Sequence, residues 1–254
     1  MTGSLDGVVT VITGTGGGQG RAAAQLFAAE GALVVGCDVK EDGNAETVEL
    51  VRSAGATMTG FAPVDLGDPG TAREFVEQAA AVHGRVDVLY NNASAARFGT
   101  MDPDGLSIEE WDFTVRNELD IIFYVVKPAW PHLVASRGVI INTASVAGWV
   151  GSGLDGVAHC ATKGGVLAIT RALASAGAPH GIRVNSISPG PIATPGTQAM
   201  FDEPGVLDAM TQHLLIPRAG TADEIAQAAL YLAGPASSYV TGADLRVDGG
   251  MTAI

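Results

Sequence analysis

A histidine and a lysine four residues apart are the side chains of this sequence best suited to acid–base chemistry. His159 and Lys163 fall in an alanine-rich helical segment, and residues four apart on a helix share one face. A neutral imidazole is a competent base near neutral pH, and the neighbouring ammonium favours the uncharged ring. The pair therefore predicts a site that takes a proton from a hydroxyl group.

A glycine-rich stretch at 13–20 (TGTGGGQG) lies between a predicted strand and a predicted helix, and Asp38 closes the next predicted strand. Glycines permit a tight turn and let backbone N–H groups approach a pyrophosphate on the helix N-terminus. A carboxylate at the position of Asp38 accepts hydrogen bonds from the adenine ribose hydroxyls and repels a 2′-phosphate. The stretch predicts NAD binding in preference to NADP, the alternative being that Asp38 only caps its strand.

Short β-branched runs alternate with amphipathic segments along the chain, which indicates βαβ units and a parallel sheet. We predict an α/β, doubly wound Rossmann fold in a single domain, 1–254, with seven parallel strands and helices on both faces. The predicted strands are 8–13, 32–38, 57–63, 86–91, 139–145, 183–188 and 243–247, and the predicted helices are 19–30, 45–54, 71–83, 107–136 and 157–178. The proline-containing segment 192–218 predicts a substrate lid, the alternative being an inserted helical pair without a role.

The composition excludes several classes of partner. A formal net charge of -13 argues against nucleic acid and anionic membranes, which both need a basic surface. Residues 1–6 contain no basic segment followed by an apolar stretch, and no apolar run reaches the roughly 18 residues that span a bilayer. The two cysteines, Cys37 and Cys160, have no spacing typical of a disulfide framework or a metal site. We therefore expect a cytoplasmic protein without a metal.

Several further motifs occur in an order that resembles the short-chain dehydrogenase/reductases over essentially the whole chain. The spacing Thr-Gly-x-x-x-Gly-x-Gly fits 13–20, and 91–94 (NNAS) is similar to that family's Asn-Asn-Ala-Gly motif with serine in place of the last glycine. The segments 142–148 (NTASVAG), 189–194 (PGPIAT) and 247–250 (VDGG) match its later signatures. The resemblance implies a dehydrogenase or reductase that uses a nicotinamide cofactor.

The resemblance assigns roles to individual residues. It implies that Ser145 polarises the substrate oxygen, that Lys163 holds the nicotinamide ribose and tunes the acid–base group, and that Asn117 holds a relay water. The cofactor-binding residues that it implies, together with the glycine motif, are Gly14, Gly18, Gln19, Gly20, Asp38, Val39, Asp65, Leu66, Asn92, Ala93, Lys163, Pro189, Gly190, Ile192 and Thr194. The two long helices at 107–136 and 157–178 match those of the family's dimer interface, so we expect a homotetramer.

His159 departs from the family pattern, which has a tyrosine four residues before the lysine. No realignment supplies one, because the chain has no tyrosine between Tyr124 and Tyr231. Three interpretations follow: an oxidoreductase in which His159 is the acid/base, a lyase or isomerase, and an NAD-binding sensor or scaffold with a silent redox site. We favour the first, because Ser145, Asn117 and Lys163 are all retained.

Apolar residues dominate the loops that are expected to line the substrate pocket. They predict a small apolar secondary alcohol or its ketone as the substrate. The predicted lining is Ala95, Ala96, Phe98, Val146, Trp149, Val150, Met200, Phe201 and Met210.

Overall fold

A parallel sheet covered by helices on both faces forms the centre of the computed structural model, which describes residues 3–97, 103–151 and 156–253. In chain order the elements are β1 (Val9–Thr13), α1 (Gly18–Ala29), β2 (Leu33–Cys37), α2 (Glu41–Ser53), β3 (Met58–Phe61), α3 (Pro69–His83), β4 (Val88–Asn91), α4 (Ile108–Val115), α5 (Ile121–Ser136), β5 (Val139–Thr143), α6 (Val157–Gly177), β6 (Arg183–Pro189), β7 (Ile192–Ala193), α7 (Gln198–Phe201), α8 (Val206–Thr211), β8 (Gly220–Thr221), α9 (Ala222–Ala233) and β9 (Asp244–Val247).

The sheet has seven strands in the order β3-β2-β1-β4-β5-β6-β9, and every neighbouring pair is parallel. The order reverses between β1 and β4, so the crossover helices leave a crevice at the carboxyl ends of these two strands. The predicted fold class is confirmed, and each predicted strand matches an observed strand to within two residues at either end.

The central strands of the sheet bury side chains on both faces, as their apolar sequences require. Val11 and Ile140 point to the layer of α3, α5 and α6, whereas their neighbours Ile12 and Ile141 point to the layer of α1 and α9. All four side chains are at most 2% exposed. Two apolar layers therefore fix the strand ends from which the loops of the site extend.

The predicted helix at 107–136 is the element that differs most from expectation. It forms as α4 and α5 joined by a π-helical turn, Arg116–Asp120. A capping box of Ser107 and Glu110 starts α4. Turns of the π type inside α-helices are frequent at functional sites, and this one carries Asn117.

Helix α9 and the short strand pair β7–β8 were not predicted from the sequence. The start of α9 is a capping box in which the Thr221 hydroxyl accepts the Glu224 N–H and the Glu224 carboxylate accepts the Thr221 N–H. Its apolar face, including Ile225 and Leu232, packs against α1 and the sheet. The capping spacing was a signal in the sequence that we did not use.

Segment 192–218, the predicted lid, contains the short strand β7 and the two short helices α7 and α8, and the rest of it is irregular. Its C-terminal part is attached to the turn after β9, where the Ile216 N–H donates to the Gly249 carbonyl at 2.9 Å. Leu215 lies against Gly250, whose hypothetical Cβ would be 2.8 Å from it. Among the helices of the described segments, none is both long and apolar enough to cross a membrane.

Candidate active site

The glycine turn between β1 and α1 forms a cradle that side chains would fill. A Cβ on Gly20 would lie 2.0 Å from the Gly14 carbonyl oxygen, and Gly14 itself has a φ of +78°. The N-cap residue of helix α1 is Gly17, which has no side chain to cap the helix, and the Gln19 Oε1 is buried without a hydrogen-bond partner. Backbone N–H groups and an uncapped helix N-terminus suit a pyrophosphate, so the residues present fit a dinucleotide.

Asp38 is held beside this cradle. Its carboxylate accepts the Gly16 N–H at 2.7 Å and the Lys40 N–H at 2.8 Å. Arg21, in the first turns of α1, donates to the Gly16 carbonyl and is paired with Glu46. The structure thus places a fixed carboxylate, with no uncommitted guanidinium from Arg21, beside the glycine turn.

The other predicted cofactor residues border the same crevice. The Thr13 hydroxyl accepts the N–H groups of Asn92 and Ala93 at 3.0 Å each, and the Asn92 amide donates to the Thr13 carbonyl at 2.9 Å. Thr194 faces the glycine turn from the opposite side, since a Cβ on Gly18 would lie 3.4 Å from it. The end of β4 and the segment after β6 therefore meet the glycine turn as the resemblance implies.

The remaining predicted cofactor residues lie at the carboxyl ends of three strands. Asp65 accepts the Gly67 N–H at 2.9 Å, and a Cβ on Gly67 would also approach the Asn117 Oδ1 at 3.2 Å. Val39 follows β2 and is 58% exposed, while Leu66 follows β3 and is buried. Pro189, Gly190 and Ile192 lie at the end of β6 and in β7.

The predicted catalytic residues come from three neighbouring elements. Ser145 follows β5, and its hydroxyl accepts the Ala147 N–H at 3.1 Å. The turn after it packs on α6, where a Cβ on Gly148 would lie 2.8 Å from the Lys163 carbonyl. Asn117 lies in the π-helical turn and donates from its side chain to the Phe113 carbonyl at 2.8 Å.

Glu118, a residue that the sequence reasoning missed, joins these elements. Its carboxylate, 2% exposed as a residue, contacts the His159 Nδ1 at 2.9 Å through Oε2 and at 3.0 Å through Oε1. The Thr162 hydroxyl donates to Oε2 at 2.5 Å and the Ser94 hydroxyl donates to Oε1 at 2.8 Å. Lys163 lies at 3.7 Å from Oε1. Its neighbours Arg116 and Asp120 are charged as well, so nothing in the sequence singled out Glu118.

The electrostatics of this cluster keep Glu118 ionised. Burial by itself raises the pKa of Glu118, but Lys163, His159 and Thr162 together outweigh burial and lower the pKa to about 2. The Lys163 ammonium also donates to the Thr143 carbonyl at 3.1 Å and to the Ser94 hydroxyl at 3.3 Å. The sequence analysis considered His159 and Lys163 as a pair, whereas the structure adds a carboxylate that contacts both.

The residues that were predicted to line the substrate pocket differ in their burial and in their contacts. Val146 and Phe201 are buried, whereas Met200 is 40% exposed. Trp149 donates its indole N–H to Asp244 of β9 at 2.9 Å and lies beneath the Arg246 guanidinium, so its ring packs against the sheet edge. Phe98 lies outside the described residues. Within those residues, no group of three or more His, Cys, Asp or Glu side chains is arranged to hold a metal ion.

A family model and the relatives named below each match nearly the whole chain. The family described as "Enoyl-(Acyl carrier protein) reductase" matches residues 14–252. Meso-2,3-butanediol dehydrogenase of Serratia marcescens is 35% identical, with 98% of this chain and 96% of the relative covered. D-threitol dehydrogenase of Mycolicibacterium smegmatis is 36% identical, with 98% and 94% covered.

Solved structures agree with the sequence relatives. A crystal structure from Burkholderia xenovorans, assigned to the short-chain dehydrogenase/reductases, superposes with a TM-score of 0.93 at 34% identity. The superposition covers 99% of both chains. The similarity therefore extends over the glycine turn, the site elements and segment 192–218 alike.

Proposed function

Because this chain belongs to the short-chain dehydrogenase/reductase family and is an oxidoreductase, we propose that it interconverts a small secondary alcohol and its ketone with NAD as cofactor. His159 is the acid/base in this proposal. The observation that carries it is the contact of His159 Nδ1 with the buried, ionised Glu118 at 2.9 Å, beside Lys163 on the same face of α6. An imidazole held in this way is equipped to exchange a proton.

The chain's own residues divide the work of alcohol oxidation. His159 takes the hydroxyl proton, Ser145 donates a hydrogen bond to the substrate oxygen, and Asn117 holds a relay water. Lys163 binds the nicotinamide ribose and keeps positive charge near the developing alkoxide. The bound nicotinamide supplies the hydride acceptor in this direction and the hydride donor in the reverse direction. Imidazole is shorter than phenol by roughly 2 Å, so the proton passes directly or through one water.

NAD is proposed over NADP because of Asp38. Its carboxylate is fixed by two backbone N–H groups at 2.7 and 2.8 Å, where ribose hydroxyls can donate to it and a 2′-phosphate is repelled. The cradle of Gly14, Gly18 and Gly20 holds the pyrophosphate by backbone N–H groups. The other cofactor residues implied by the family, from Asp65 to Thr194, belong to the same proposal.

We infer that the substrate is small and largely apolar, and that segment 192–218 covers it as a lid. The lid and the sheet belong to one domain, 1–254, in this proposal. Val146 and Phe201 supply apolar surface, and the contacts of Ile216 with Gly249 and of Leu215 with Gly250 attach the C-terminal part of the proposed lid to the turn after β9. The similar dehydrogenases are named for a diol and a tetritol, so vicinal diols belong in any substrate panel. A cytoplasmic homotetramer completes the proposal.

The test is NAD reduction at 340 nm over a panel of apolar secondary alcohols and vicinal diols. We expect turnover by the wild type, rising with pH as the base loses its proton, and a loss of at least 100-fold in kcat for His159→Ala. His180→Ala, an exposed histidine after α6, is the matched control and retains activity. Equal turnover by His159→Ala would remove His159 from the mechanism.

Two rival functions give different results in the same assay. NADH binding without turnover of any alcohol or ketone would identify a nucleotide-binding sensor or scaffold with a silent site. Consumption of a substrate without any change in the NADH signal would identify a lyase or isomerase. Either result would contradict the proposed redox function.

A further inference from the structure

We propose that Glu118 is the positioning residue of this site: its carboxylate holds the imidazole of His159 with the proton on Nδ1, which assigns proton exchange with the substrate to Nε2. The inference rests on the proposed function, since Glu118 acts through His159. It also makes a statement about the protein at rest, namely which ring nitrogen carries the proton. That statement can be tested without turnover.

The hydrogen-bond pattern around Glu118 fixes the direction of its bond to His159. The carboxylate accepts the hydroxyl protons of Ser94 at 2.8 Å and Thr162 at 2.5 Å. The Lys163 ammonium, 3.7 Å from Oε1, favours the ionised form of Glu118, and an ionised carboxylate has no proton to donate. The contact at 2.9 Å with Nδ1 is therefore an N–H donated by the ring.

The charges around Glu118 show why the carboxylate serves as an anchor and does not carry the proton itself. Lys163 lies at 3.7 Å from Oε1, so the pair is neutral before catalysis. When His159 takes the substrate proton, the second positive charge lies against the same carboxylate in a buried site, where Coulomb attraction is stronger than in water. The lowered pKa of Glu118, about 2, means that the proton stays on the imidazole.

Two residues that differ from the family pattern, Ser94 and His159, both contact the Glu118 carboxylate. Ser94 stands where the resembling motif ends in glycine, and its hydroxyl donates to Oε1. His159 stands where the family has tyrosine, and a phenol ring has a C–H group at the place of Nδ1. Neither glycine nor tyrosine supplies a donor there. The two replacements and Glu118 therefore form one unit.

The groups that face Glu118 come from separate elements. In the described segments, the charged or titratable groups in contact with it are His159 and Lys163, both from α6. The segment after β4 contributes the neutral hydroxyl of Ser94, and α6 also contributes Thr162. Asp155, which precedes α6 in the sequence, lies outside the described residues. Removal of the Glu118 charge is thus expected to act on the two cations of α6.

The kinetic test is Glu118→Gln, which keeps the size of the side chain and removes its charge. We expect kcat to fall by at least tenfold with little change in KM, because the charge matters most when the imidazole is protonated. We also expect the acid limb of the kcat/KM profile to move to lower pH, since the imidazolium loses its counter-ion. Glu109→Gln, an exposed carboxylate on α4, is the matched control. Unchanged kcat and an unchanged profile in Glu118→Gln would overturn the proposal.

The second measurement is ¹⁵N NMR of the wild-type protein labelled at histidine, with His159→Gln used to assign the signal. Nitrogen shifts that identify a neutral ring protonated on Nδ1 support the proposal, and shifts of a ring protonated on Nε2 overturn it. The wild-type spectrum separates the two proposals. A ring protonated on Nδ1 in a protein that oxidises no alcohol would sink the proposed function and leave the positioning by Glu118 intact.

Discussion

Asp38 carries the choice between the two nicotinamide dinucleotides in the proposed function. Its carboxylate is held at the end of β2 by the N–H groups of Gly16 and Lys40. A Cβ on Gly16 would lie 2.6 Å from its Cγ, so the turn and the carboxylate pack directly against each other. The side chain therefore has little freedom to turn away from a 2′-phosphate.

Replacing Asp38 by alanine is expected to weaken NADH binding and to reduce discrimination against NADPH. Each lost hydrogen bond from a ribose hydroxyl to a charged acceptor corresponds to about 1.5–3 kcal/mol, so we expect NADH affinity to fall at least tenfold. Fluorescence titration with both dinucleotides measures the ratio. Asp42→Ala, an exposed carboxylate at the start of α2, is the control. An unchanged NADH-to-NADPH preference in Asp38→Ala would contradict the cofactor assignment.

Asp38 was within reach of sequence reasoning and Glu118 was not, for a physical reason. The position of Asp38 follows from local order along the chain: a strand, a glycine turn, a helix and a second strand that ends in an acid. Glu118 gains its role from Ser94 and His159, which lie 24 and 41 residues away in the chain. Which residues meet over such sequence separations depends on how the helices pack, and the hydrophobic periodicity of the sequence does not show this.

The pyrophosphate site proposed in the turn between β1 and α1 consists of backbone groups, and the turn has room for a side chain at some of its glycines only. At Gly20 a methyl group would meet the Gly14 carbonyl at 2.0 Å and the Asn92 amide at 2.6 Å. At Gly17 a methyl group would meet nothing within 4 Å, and the backbone is extended with a φ of 169°. Gly20 and Gly17 therefore provide a test position and a control position within the same turn.

Gly20→Ala is expected to destabilise the protein by about 2–3 kcal/mol, and Gly17→Ala to leave stability nearly unchanged. Alanine is preferred over glycine in a helix by about 1 kcal/mol, so a loss at Gly20 measures the clash in spite of that preference. Thermal unfolding of both variants without ligand is the measurement, with an expected fall of about 5–10 °C for Gly20→Ala. Equal melting temperatures would show that the turn rearranges.

The strands were easier to predict than the helices. A strand such as β5 begins with three consecutive buried apolar residues, Val139, Ile140 and Ile141, so its position is visible in the sequence. The segment 107–136 is apolar through α5 as well, and nothing in its periodicity marks the π-helical turn at Arg116–Asp120. Helix α9 was missed although Thr221 and Glu224 carry the capping-box spacing.

Acid stability of the folded protein depends on Glu118. Its pKa is about 2 in the fold against an ordinary value of 4.5, because the contributions of Lys163, His159 and Thr162 exceed the opposing effect of burial. A carboxyl group with a lowered pKa stabilises the fold above its ordinary pKa. This stabilisation is lost as the pH falls from about 4.5 towards about 2.

We therefore expect Glu118→Gln to flatten the acid limb of the stability curve. Between pH 5 and pH 3 the wild type is expected to lose on the order of 2 kcal/mol more free energy of unfolding than the variant. Urea unfolding at several pH values gives these free energies, with the exposed Glu109→Gln expected to parallel the wild type. Equal pH slopes for wild type and Glu118→Gln would show that the buried cluster does not titrate with the fold.

The contacts of Glu118 also bear on how the chain folds. Its donors come from the segment after β4 and from α6, so the carboxylate is satisfied only once both have docked against the π-helical turn. A half-assembled chain that buried α5 without α6 would enclose a charge that keeps only the hydroxyl of Ser94, and buried charges without partners are strongly destabilising. Burial of apolar side chains stabilises many compact arrangements of the chain. Burial of the Glu118 carboxylate, by contrast, destabilises every compact arrangement in which its partners are missing. We therefore expect the Glu118 cluster to make folding more cooperative, because burying Glu118 before α6 has docked is unfavourable.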